Sequence, residues 1–315
     1  MRILVTGGAG YIGSACVKLL LNKNYDVIVI DNLSKGKEEL VDKRAKFFKM
    51  DLIDKEKLKE IFQKEHIDAV IHFAAYKSVN ESMQNPVKYS DNITGTINLL
   101  NAMVEFKVKK IIFSSSAAVY GTLNKEIVDE CSKLNPINFY GFTKLECEKI
   151  IEWYHKIYGI NYICLRYFNV SGDSGLNYVD PNAQNVFPII MEVINGKRDK
   201  FVICGNDYNT KDGTCNRDYI DVNDLVDAHL LALNSDYNGI INLGTGEGYT
   251  VKELVSSFME VTGKNFKCEY GPRRAGDPAS LIASNSKAKK ILNWFPKRNI
   301  NEMIRTTYRA YVNNS

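Results

Sequence analysis

The chain has 315 residues, of which 45% are hydrophobic and 25% are charged, and its formal net charge is +4. This composition is typical of a globular protein with one large or two unequal domains, and the basic residues are too interspersed with acidic ones to predict nucleic-acid binding. The seven cysteines are scattered and include no Cys-x-x-Cys pair. That pattern argues against a disulfide framework and against a zinc site, so we expect no bound metal.

The sequence shows no pattern that would direct the chain to a membrane or out of the cell. Met1 is followed at once by an apolar strand, which leaves no space for the charged segment of a secretory leader. No apolar run reaches the ~20 residues that span a bilayer. We therefore expect a cytoplasmic protein that does not associate with membranes.

Short apolar runs alternate with helical patterns along the N-terminal half. In chain order they predict a strand at Arg2–Thr6, a helix to about Leu21, strands at Asp26–Ile30 and Ala45–Met50, a helix at Lys55–Lys64, a strand at Ala69–Phe73, a helix at Pro86–Phe106, a strand at Lys110–Ser114, a helix at Tyr140–Tyr158 and a strand at Tyr162–Arg166. Strands that alternate with helices form βαβ units around a parallel sheet. The predicted fold class is α/β, a doubly wound parallel sheet of the Rossmann type.

The pattern changes after Asn169. Residues 171–185 are rich in Gly, Asn, Asp and Pro, which indicates a loop or a domain boundary. Beyond it, strands are predicted at Lys200–Ile203, Ile240–Leu243 and Phe266–Glu269, and helices at Phe187–Asn195, Asp221–Leu233 and Val251–Val261. We predict a dinucleotide-binding domain over residues 1–170 and a smaller mixed α/β substrate domain over 171–315, of which about 215–245 packs back on the first.

A glycine-rich turn joins the first predicted strand to the first helix. Gly7, Gly10 and Gly13 have the spacing Gly-x-x-Gly-x-x-Gly, with Tyr11 and Ile12 before the last glycine. Glycines here let the backbone approach a pyrophosphate, and the helix N-terminus offers it unpaired N–H groups and a positive dipole. The turn therefore predicts a dinucleotide site.

The second strand is followed by Asp31, eighteen residues after Gly13. A carboxylate at this point accepts hydrogen bonds from both ribose hydroxyls and repels a 2′-phosphate. The predicted cofactor is therefore NAD rather than NADP, although Lys35 and Lys37 lie nearby and would suit the phosphate.

Tyr140 and Lys144 are spaced to share one face of a helix. A tyrosine has a pKa of ~10, and a nearby ammonium together with a positive nicotinamide ring would favour the phenolate and make it a usable base. Lys144 can also hold the nicotinamide ribose. The preceding strand ends in three serines at the carboxyl edge of the sheet, where Ser116 can bond an oxygen that becomes a carbonyl.

These motifs resemble, nearly from end to end, those of the extended short-chain dehydrogenase/reductase superfamily and, within it, the UDP-glucose 4-epimerase family. The blocks in the N-terminal half are Thr6–Gly13, Asp31–Leu33, Asp51–Leu52, Phe73–Lys77, Asn92–Thr96, Ser114–Gly121 and Tyr140–Lys144. The later blocks are Leu165–Asn169, Gly205–Tyr208, Asp212–Thr214, Arg217–Ile220, Asn242–Gly244 and Pro272–Asp277. The last of these are much more specific, because generic dehydrogenases lack them.

The resemblance implies NAD-dependent 4-epimerisation of a UDP-hexose, UDP-glucose or UDP-galactose, through a transient 4-keto sugar. It implies a homodimer, joined through the helices that begin near Pro86 and Tyr140, and a catalytic set of Ser116, Tyr140 and Lys144. The implied cofactor residues are Gly7, Gly10, Tyr11, Ile12, Gly13, Asp31, Asn32, Asp51, Leu52, Phe73, Ala74, Lys77, Asn92, Ser114, Tyr140, Lys144 and Phe168. The implied substrate residues are Lys77, Ser116, Tyr140, Asn169, Asn185, Val186, Arg217, Tyr219, Arg274, Asp277 and Leu281.

Three features depart from the family pattern. Cys204 stands where many members have an aromatic residue, and the loop at 172–184 is a few residues shorter than usual. Leu281 occupies a position where members restricted to plain hexoses tend to carry Tyr, and members that also accept N-acetylhexosamines tend to carry Cys or Ser. We expect UDP-glucose and UDP-galactose to be the best substrates, with slower turnover of UDP-N-acetylglucosamine.

Other functions of the same superfamily remain as alternatives. A 4,6-dehydratase would carry an Asp-Glu pair after the strand-end serine, and decarboxylases typically keep the Glu, but Ala117 and Ala118 stand there. Methyl groups cannot do acid–base work. An epimerase for another UDP-sugar (an N-acetylhexosamine, a pentose or a uronate) stays open. A catalytically silent NAD-binding sensor would usually lose the tyrosine or the lysine, and this chain keeps both.

Overall fold

The computed structural model describes residues 1–123, 125–181, 183–274 and 277–313. Its first half contains β1 (Arg2–Thr6), α1 (Tyr11–Asn22), β2 (Asp26–Asp31), β3 (Lys46–Lys49), α2 (Lys55–Lys64), β4 (Ala69–His72), α3 (Val79–Gln84), α4 (Pro86–Glu105), β5 (Lys110–Ser114), β6 (Ile127–Val128) and α5 (Phe139–Tyr158). Its second half contains β7 (Asn161–Tyr167), β8 (Asn169–Ser171), α6 (Val186–Ile194), β9 (Phe201–Cys204), β10 (Asn216–Asp221), α7 (Val222–Leu233), β11 (Gly239–Leu243), β12 (Gly248–Thr250), α8 (Val251–Thr262), β13 (Cys268–Gly271), β14 (Ser280–Ala283), α9 (Ser286–Leu292) and α10 (Ile300–Val312).

The largest sheet has seven parallel strands in the order β11-β7-β5-β4-β1-β2-β3. The chain runs from β1 through β2 to β3 and then returns to the other side of β1, so the strand order reverses between β1 and β4. Ligands of open parallel sheets bind at the carboxyl ends of the strands beside such a reversal. The predicted α/β class with a doubly wound parallel sheet is confirmed.

Helices cover both faces of this sheet. In β1, Ile3 and Val5 pack with residues of α1 and α7, whereas Leu4 packs on the opposite face with residues of α2, α4 and α5. All three side chains are fully buried. Burial on both faces explains why these strands read as continuous apolar runs rather than as alternating patterns.

The second half of the chain adds a mixed sheet, β12-β10-β14-β6, with β8 beside β10, and a two-stranded pair of β13 and β9. Of these strands, β9, β10, β12 and β13 share a core with α6, α8 and α10 around Phe187, Phe258 and Ile304. β8 extends the strand structure to Ser171, the first residue of the stretch expected to be a loop, because it pairs in parallel with β10. Among the described residues, none of the helices combines the length and the apolar character that crossing a bilayer requires.

One stretch of the second half returns to the large sheet. β11 pairs in parallel with β7, with Ile241 opposite Leu165, and α7 packs against α1. The seven-stranded sheet is therefore completed by residues that follow β10, and the two halves of the chain meet along the carboxyl edge of that sheet.

Candidate active site

Two cavities lie along this edge, and a third adjoins the second of them. The first, of about 230 Å³, is lined by sixteen of the predicted cofactor residues: Gly7, Gly10, Tyr11, Ile12, Gly13, Asp31, Asn32, Asp51, Leu52, Phe73, Ala74, Lys77, Asn92, Ser114, Tyr140 and Lys144. Most of these residues lie at or after the carboxyl ends of β1, β2, β3, β4 and β5, whereas Asn92 lies on α4 and Tyr140 and Lys144 lie on α5. Phe168, expected beside the nicotinamide, lines the second cavity instead.

The glycine-rich turn has the shape that a pyrophosphate site needs. Gly7 has a φ of +73°, and a Cβ there would lie 2.7 Å from the Ala74 nitrogen. A Cβ on Gly13 would lie 2.1 Å from the Gly7 carbonyl oxygen, so α1 can pack this closely on the turn only with glycine. Gly10 caps α1 without a side-chain hydrogen bond, which leaves the first N–H groups of the helix available to an anion.

Asp31 is held in place by the backbone around it. Its carboxylate accepts hydrogen bonds from the Ala9 N–H at 3.0 Å and the Leu33 N–H at 2.8 Å. Burial raises the pKa of Asp31, and these two bonds act in the opposite direction. The neighbouring cations are engaged elsewhere: the Lys35 ammonium lies 4.0 Å from the Glu81 carboxylate, and that of Lys37 lies 5.8 Å from the centre of the Tyr178 ring.

Tyr140 and Lys144 project from the first turns of α5, whose start is fixed by the Asn138 side chain accepting a hydrogen bond from the Gly141 N–H at 2.8 Å. The Lys144 ammonium is buried and donates to the Ser114 carbonyl at 2.6 Å. It lies 6.0 Å from the centre of the Tyr140 ring. The lysine therefore links α5 to the end of β5 instead of contacting the phenol directly.

Burial acts on the ionisation of both residues. Burial raises the pKa of Tyr140, and a hydrogen bond with Ser116 opposes that change. Burial lowers the pKa of Lys144 to about 8. With the ammonium turned towards Ser114, the expected use of Tyr140 as a base depends on the positive nicotinamide ring as well as on Lys144.

The second cavity, of about 750 Å³, shares a wall with the first. The residues common to both are Tyr11, Ile12, Lys77, Tyr140, Tyr167 and Tyr178. Ser116 faces the second cavity, and Ala117 and Ala118 follow it on the same wall. A molecule bound in the second cavity would therefore meet the phenol of Tyr140, a hydroxyl and two methyl groups, with no carboxylate at the dehydratase positions.

The third cavity, of about 160 Å³, adjoins the second at Asn169, Asn185, Arg217 and Asp277. The Arg217 guanidinium lies 3.6 Å from the Asp277 carboxylate. α6 begins after Asn185 without a side-chain cap, so its N-terminal N–H groups and the arginine together favour an anion here.

The other predicted substrate residues lie around the same two cavities. Val186, Tyr219 and Arg274 line the third cavity, as does Cys204, and Leu281 lines the second. Leu281 stands opposite Arg217 in the parallel pairing of β10 with β14. Ala275 and Gly276, which complete the motif between Arg274 and Asp277, lie outside the described residues.

Several lining residues were not predicted as site residues. Tyr167 belongs to a family block but was not assigned a role, and its hydroxyl bonds that of Ser114. Tyr178 stacks on Tyr11 with ring centres 4.9 Å apart, although it comes from a stretch that showed only loop composition. Tyr311 reaches the second cavity from α10, and nothing in the periodicity of that helix distinguishes a cavity residue from a core residue.

Comparison with known proteins agrees with this geometry. The family model described as GDP-mannose 4,6 dehydratase matches residues 4–307. The UDP-glucose 4-epimerase of Lactobacillus helveticus is 46% identical over 98% of this chain and 96% of the relative. That of Lacticaseibacillus casei is 44% identical over 99% of this chain and 97% of the relative.

The solved structure of the UDP-glucose 4-epimerase from Bifidobacterium longum, in complex with NAD+ and UDP, superposes with a TM-score of 0.93. It is 37% identical and covers 100% of this chain, which in turn covers 99% of it. The chain belongs to the UDP-glucose 4-epimerase family of extended short-chain dehydrogenases/reductases.

Proposed function

We propose that this chain interconverts UDP-glucose and UDP-galactose by NAD-dependent epimerisation at C4 of the sugar, through a transient 4-keto sugar. The observation that carries the proposal is the position of Tyr140 on the wall common to the first and second cavities. A proton-transfer group at that point reaches a sugar on one side and a dinucleotide on the other.

The first cavity fits NAD. The uncapped start of α1 suits the pyrophosphate, and Asp31 suits the adenosine ribose. Asn32 and Asp51, joined by a hydrogen bond of 2.7 Å, lie farther along the cavity on the adenine side. Bound there, NAD would supply the reversible hydride acceptor that oxidation and reduction at C4 require.

Proton transfer falls to residues of α5 and the end of β5. Tyr140 takes the proton of the 4-hydroxyl as C4 is oxidised and gives a proton back as C4 is reduced, so atoms and charge balance over the cycle. Ser116 bonds the same oxygen. Because burial raises the pKa of Tyr140, we infer that the cationic charges of Lys144 and the nicotinamide are both needed to form the phenolate.

The UDP part is held mainly by the second half of the chain, which supplies Asn169, Asn185, Val186, Arg217, Tyr219, Arg274 and Asp277. We assign the diphosphate to Arg217 and to the start of α6, because both offer donors to an anion. The sugar lies in the wide second cavity, where few fixed partners hold it. It can then turn about its phosphate linkage between the two hydride transfers.

This division supports the domain limits predicted from the sequence, 1–170 for NAD and 171–315 for the UDP-sugar, with two exceptions: Asn169 lies just before the limit, and α7 and β11 pack back on the first domain. A homodimer joined through α4 and α5 is supported by the exposed apolar side chains of Trp153 and Ile157. The seven free thiols suit a reducing compartment, and we propose the cytoplasm.

Turnover of UDP-galactose without added reductant tests the function. We expect UDP-glucose to form while the NAD that copurifies with the protein is neither consumed nor produced in net amount. Stoichiometric release of NADH during steady turnover would contradict the mechanism. Binding of NAD and UDP without any turnover would instead favour the sensor.

A further inference from the structure

Three consecutive serines and one face of α5 are joined residue by residue. Ser116 lies with Tyr140 on the wall of the second cavity, the Ser114 carbonyl accepts from Lys144 at 2.6 Å, and the Ser115 hydroxyl donates to the Glu148 carboxylate at 2.5 Å. The three helix residues are spaced by four, so they follow one another along a single face. Ser116, Tyr140 and Lys144 belong to the proposed catalytic set. The bond between Ser115 and Glu148 has no role in that set.

The third bond is anchored by a buried ion pair. Arg166 of β7 grips the Glu148 carboxylate with two parallel hydrogen bonds, from Nε at 2.8 Å and from a terminal nitrogen at 2.5 Å. Its other terminal nitrogen donates to the Tyr120 hydroxyl at 3.1 Å, which in turn donates to Asn242 at 2.7 Å. The side chains of Arg166 and Glu148 are only 3% and 4% exposed.

A pair of this kind is a weak source of stability. Moving both charges out of water costs several kcal/mol per ion, and a well-packed apolar pair of the same volume often stabilises a protein at least as well. The bonds to Ser115, Tyr120 and Asn242 instead extend the pair across β5, β7 and β11. Its geometric effect is to hold the end of β5 at one position against α5.

We propose that Glu148 and Arg166 are positioning residues of this site: through Ser115 they set the end of β5 against Tyr140 and Lys144, and the Glu148 carboxylate keeps Lys144 cationic. The inference rests on the proposed function, because it concerns the same proton-transfer set. It adds two residues that touch neither cofactor nor substrate.

The electrostatic part follows from what surrounds Lys144. The titratable groups that face it are Cys147 and Glu148 on its own helix, Cys164 on β7 and His72 on β4, besides Tyr140. Burial raises the pKa values of both thiols, to about 11 for Cys147, and lowers that of His72 to about 3, so these groups are neutral at pH 7. Among the described groups facing Lys144, Glu148 therefore supplies the negative charge; the Arg166 guanidinium offsets part of it and would remain without its partner in Glu148→Gln.

The charge of Glu148 affects the pH at which Lys144 loses its proton. Burial lowers the pKa of Lys144 to about 8, and the attraction of Glu148 works against that fall. Removing the carboxylate charge should lower the pKa of Lys144 further. Activity that needs the ammonium would then decline at a lower pH, so the alkaline limb of the kcat profile should move down.

The experiment compares Ser115→Ala and Glu148→Gln with the NAD-loaded wild type on UDP-galactose. Ser115→Ala removes one bond and no charge, so kcat should fall about tenfold, since small misplacements of reacting groups are costly, while the alkaline limb stays in place. Glu148→Gln should lower kcat and also move the alkaline limb down by about one pH unit. Titration of isotope-labelled lysines by NMR should show the same shift for Lys144 without relying on turnover.

Asp224→Asn is the matched control. Asp224 is another buried carboxylate, on α7, that accepts from the Arg298 guanidinium at 2.5 Å, and its loss should lower the Tm without changing kcat or the alkaline limb. If Glu148→Gln behaves like this control, the pair serves stability alone and the proposal is overturned. If Glu148→Gln does not fold, Ser115→Ala tests the proposal instead. A wild-type kcat in Ser115→Ala would show that Glu148 and Arg166 do not position the site through Ser115. A wild type that binds NAD but turns over no UDP-galactose would refute the proposed function, and the lysine titration would still test the charge effect.

Discussion

Tyr140 and Lys144 show how burial acts on two neighbouring groups in opposite senses. It raises the pKa of the phenol and lowers that of the ammonium to about 8, so each group is pushed towards its neutral form. The sequence supplied the pair and its spacing, but not the direction in which the ammonium points. That direction is set by the Ser114 carbonyl, which is a tertiary contact.

The roles of Tyr140 and Lys144 can be distinguished by single substitutions. Tyr140→Phe should lower kcat by at least ~10²-fold, the usual scale for loss of a general acid–base group. Lys144→Ala should do the same and also weaken NAD binding, measured as the NAD content after gel filtration. Tyr25→Phe is the control, because that tyrosine lies just before β2 and bonds Asn234. Near wild-type turnover in either site variant would show that the pair is wrongly assigned.

Leu281 is the residue that we expect to set the substrate range. It lines the second cavity beside Arg217. Leucine is smaller than tyrosine, so UDP-N-acetylglucosamine should be turned over, but more slowly than UDP-glucose. A change of about one methylene in the size of a pocket alters the discrimination between two substrates by ~1–3 kcal/mol. The preference for UDP-glucose over UDP-N-acetylglucosamine should therefore be graded rather than absolute.

Leu281→Tyr tests this role when both substrate classes are assayed side by side. The variant should lose activity on the N-acetylhexosamine selectively while it keeps most of its activity on UDP-glucose. An equal loss of activity on both substrate classes would show that Leu281 does not select the sugar and is only a core residue of β14.

Among the elements, the two longest helices and most strands of the large sheet were predicted, whereas α10, with 13 residues, and the shortest strands were not. α4 and α5 agree with their predicted limits within one residue, because about five turns of helical periodicity define each of them. β6, β8 and β12 have two or three residues each and were not predicted. So short a strand carries no period of its own and forms only because a distant strand, such as β10 for β8, lies beside it.

The turn between β1 and α1 is the element whose sequence is most constrained. In Gly13→Ala the new Cβ would lie 2.1 Å from the Gly7 carbonyl oxygen and 2.9 Å from the Gly8 Cα, and neither backbone atom can yield easily. We expect a loss of stability of at least ~1–3 kcal/mol, the usual cost of overpacking, and a protein purified with little NAD. Thermal unfolding and the absorbance of extracted nucleotide measure the two effects.

Gly263→Ala provides the comparison for that variant. Gly263 ends α8 with a φ of +64° and no atom near the position of a Cβ, so alanine should cost ~1–2 kcal/mol of backbone strain only. Its Tm should fall while its NAD content stays that of the wild type. Full NAD content in Gly13→Ala would show that close packing at the turn is not needed for the cofactor.

At the scale of the whole molecule, the reversal of strand order between β1 and β4 places the first and second cavities on one edge of the sheet, and the third cavity adjoins the second. The strand–helix alternation predicted this class of sheet, because each βαβ unit is encoded locally. The second cavity is completed by Tyr311 of α10 and Tyr178 of the long loop, and neither contribution was predictable from the sequence. Their positions depend on the packing of the second half against the first, which no local pattern records.

The exposed face of α4 and α5 is apolar enough to serve as a dimer interface. α4 and α5 pack side by side, and they expose Val87, Trp153 and Ile157, at 81%, 61% and 64% of their surface. Large apolar side chains on adjacent helices favour a two-fold contact, in which each copy presents the same face to the other. We expect the wild type to have the mass of a dimer at micromolar concentration.

Trp153→Glu combined with Ile157→Glu should give a folded monomer, because a two-fold contact would bury four new carboxylates close together without partners. Light scattering coupled to gel filtration measures the mass, and circular dichroism confirms that the fold is kept. Phe295→Glu is the control: that side chain is also exposed, but it lies between α9 and α10, away from the α4 and α5 face. A monomeric wild type, or a double variant that keeps the mass of a dimer, would exclude this face as the interface.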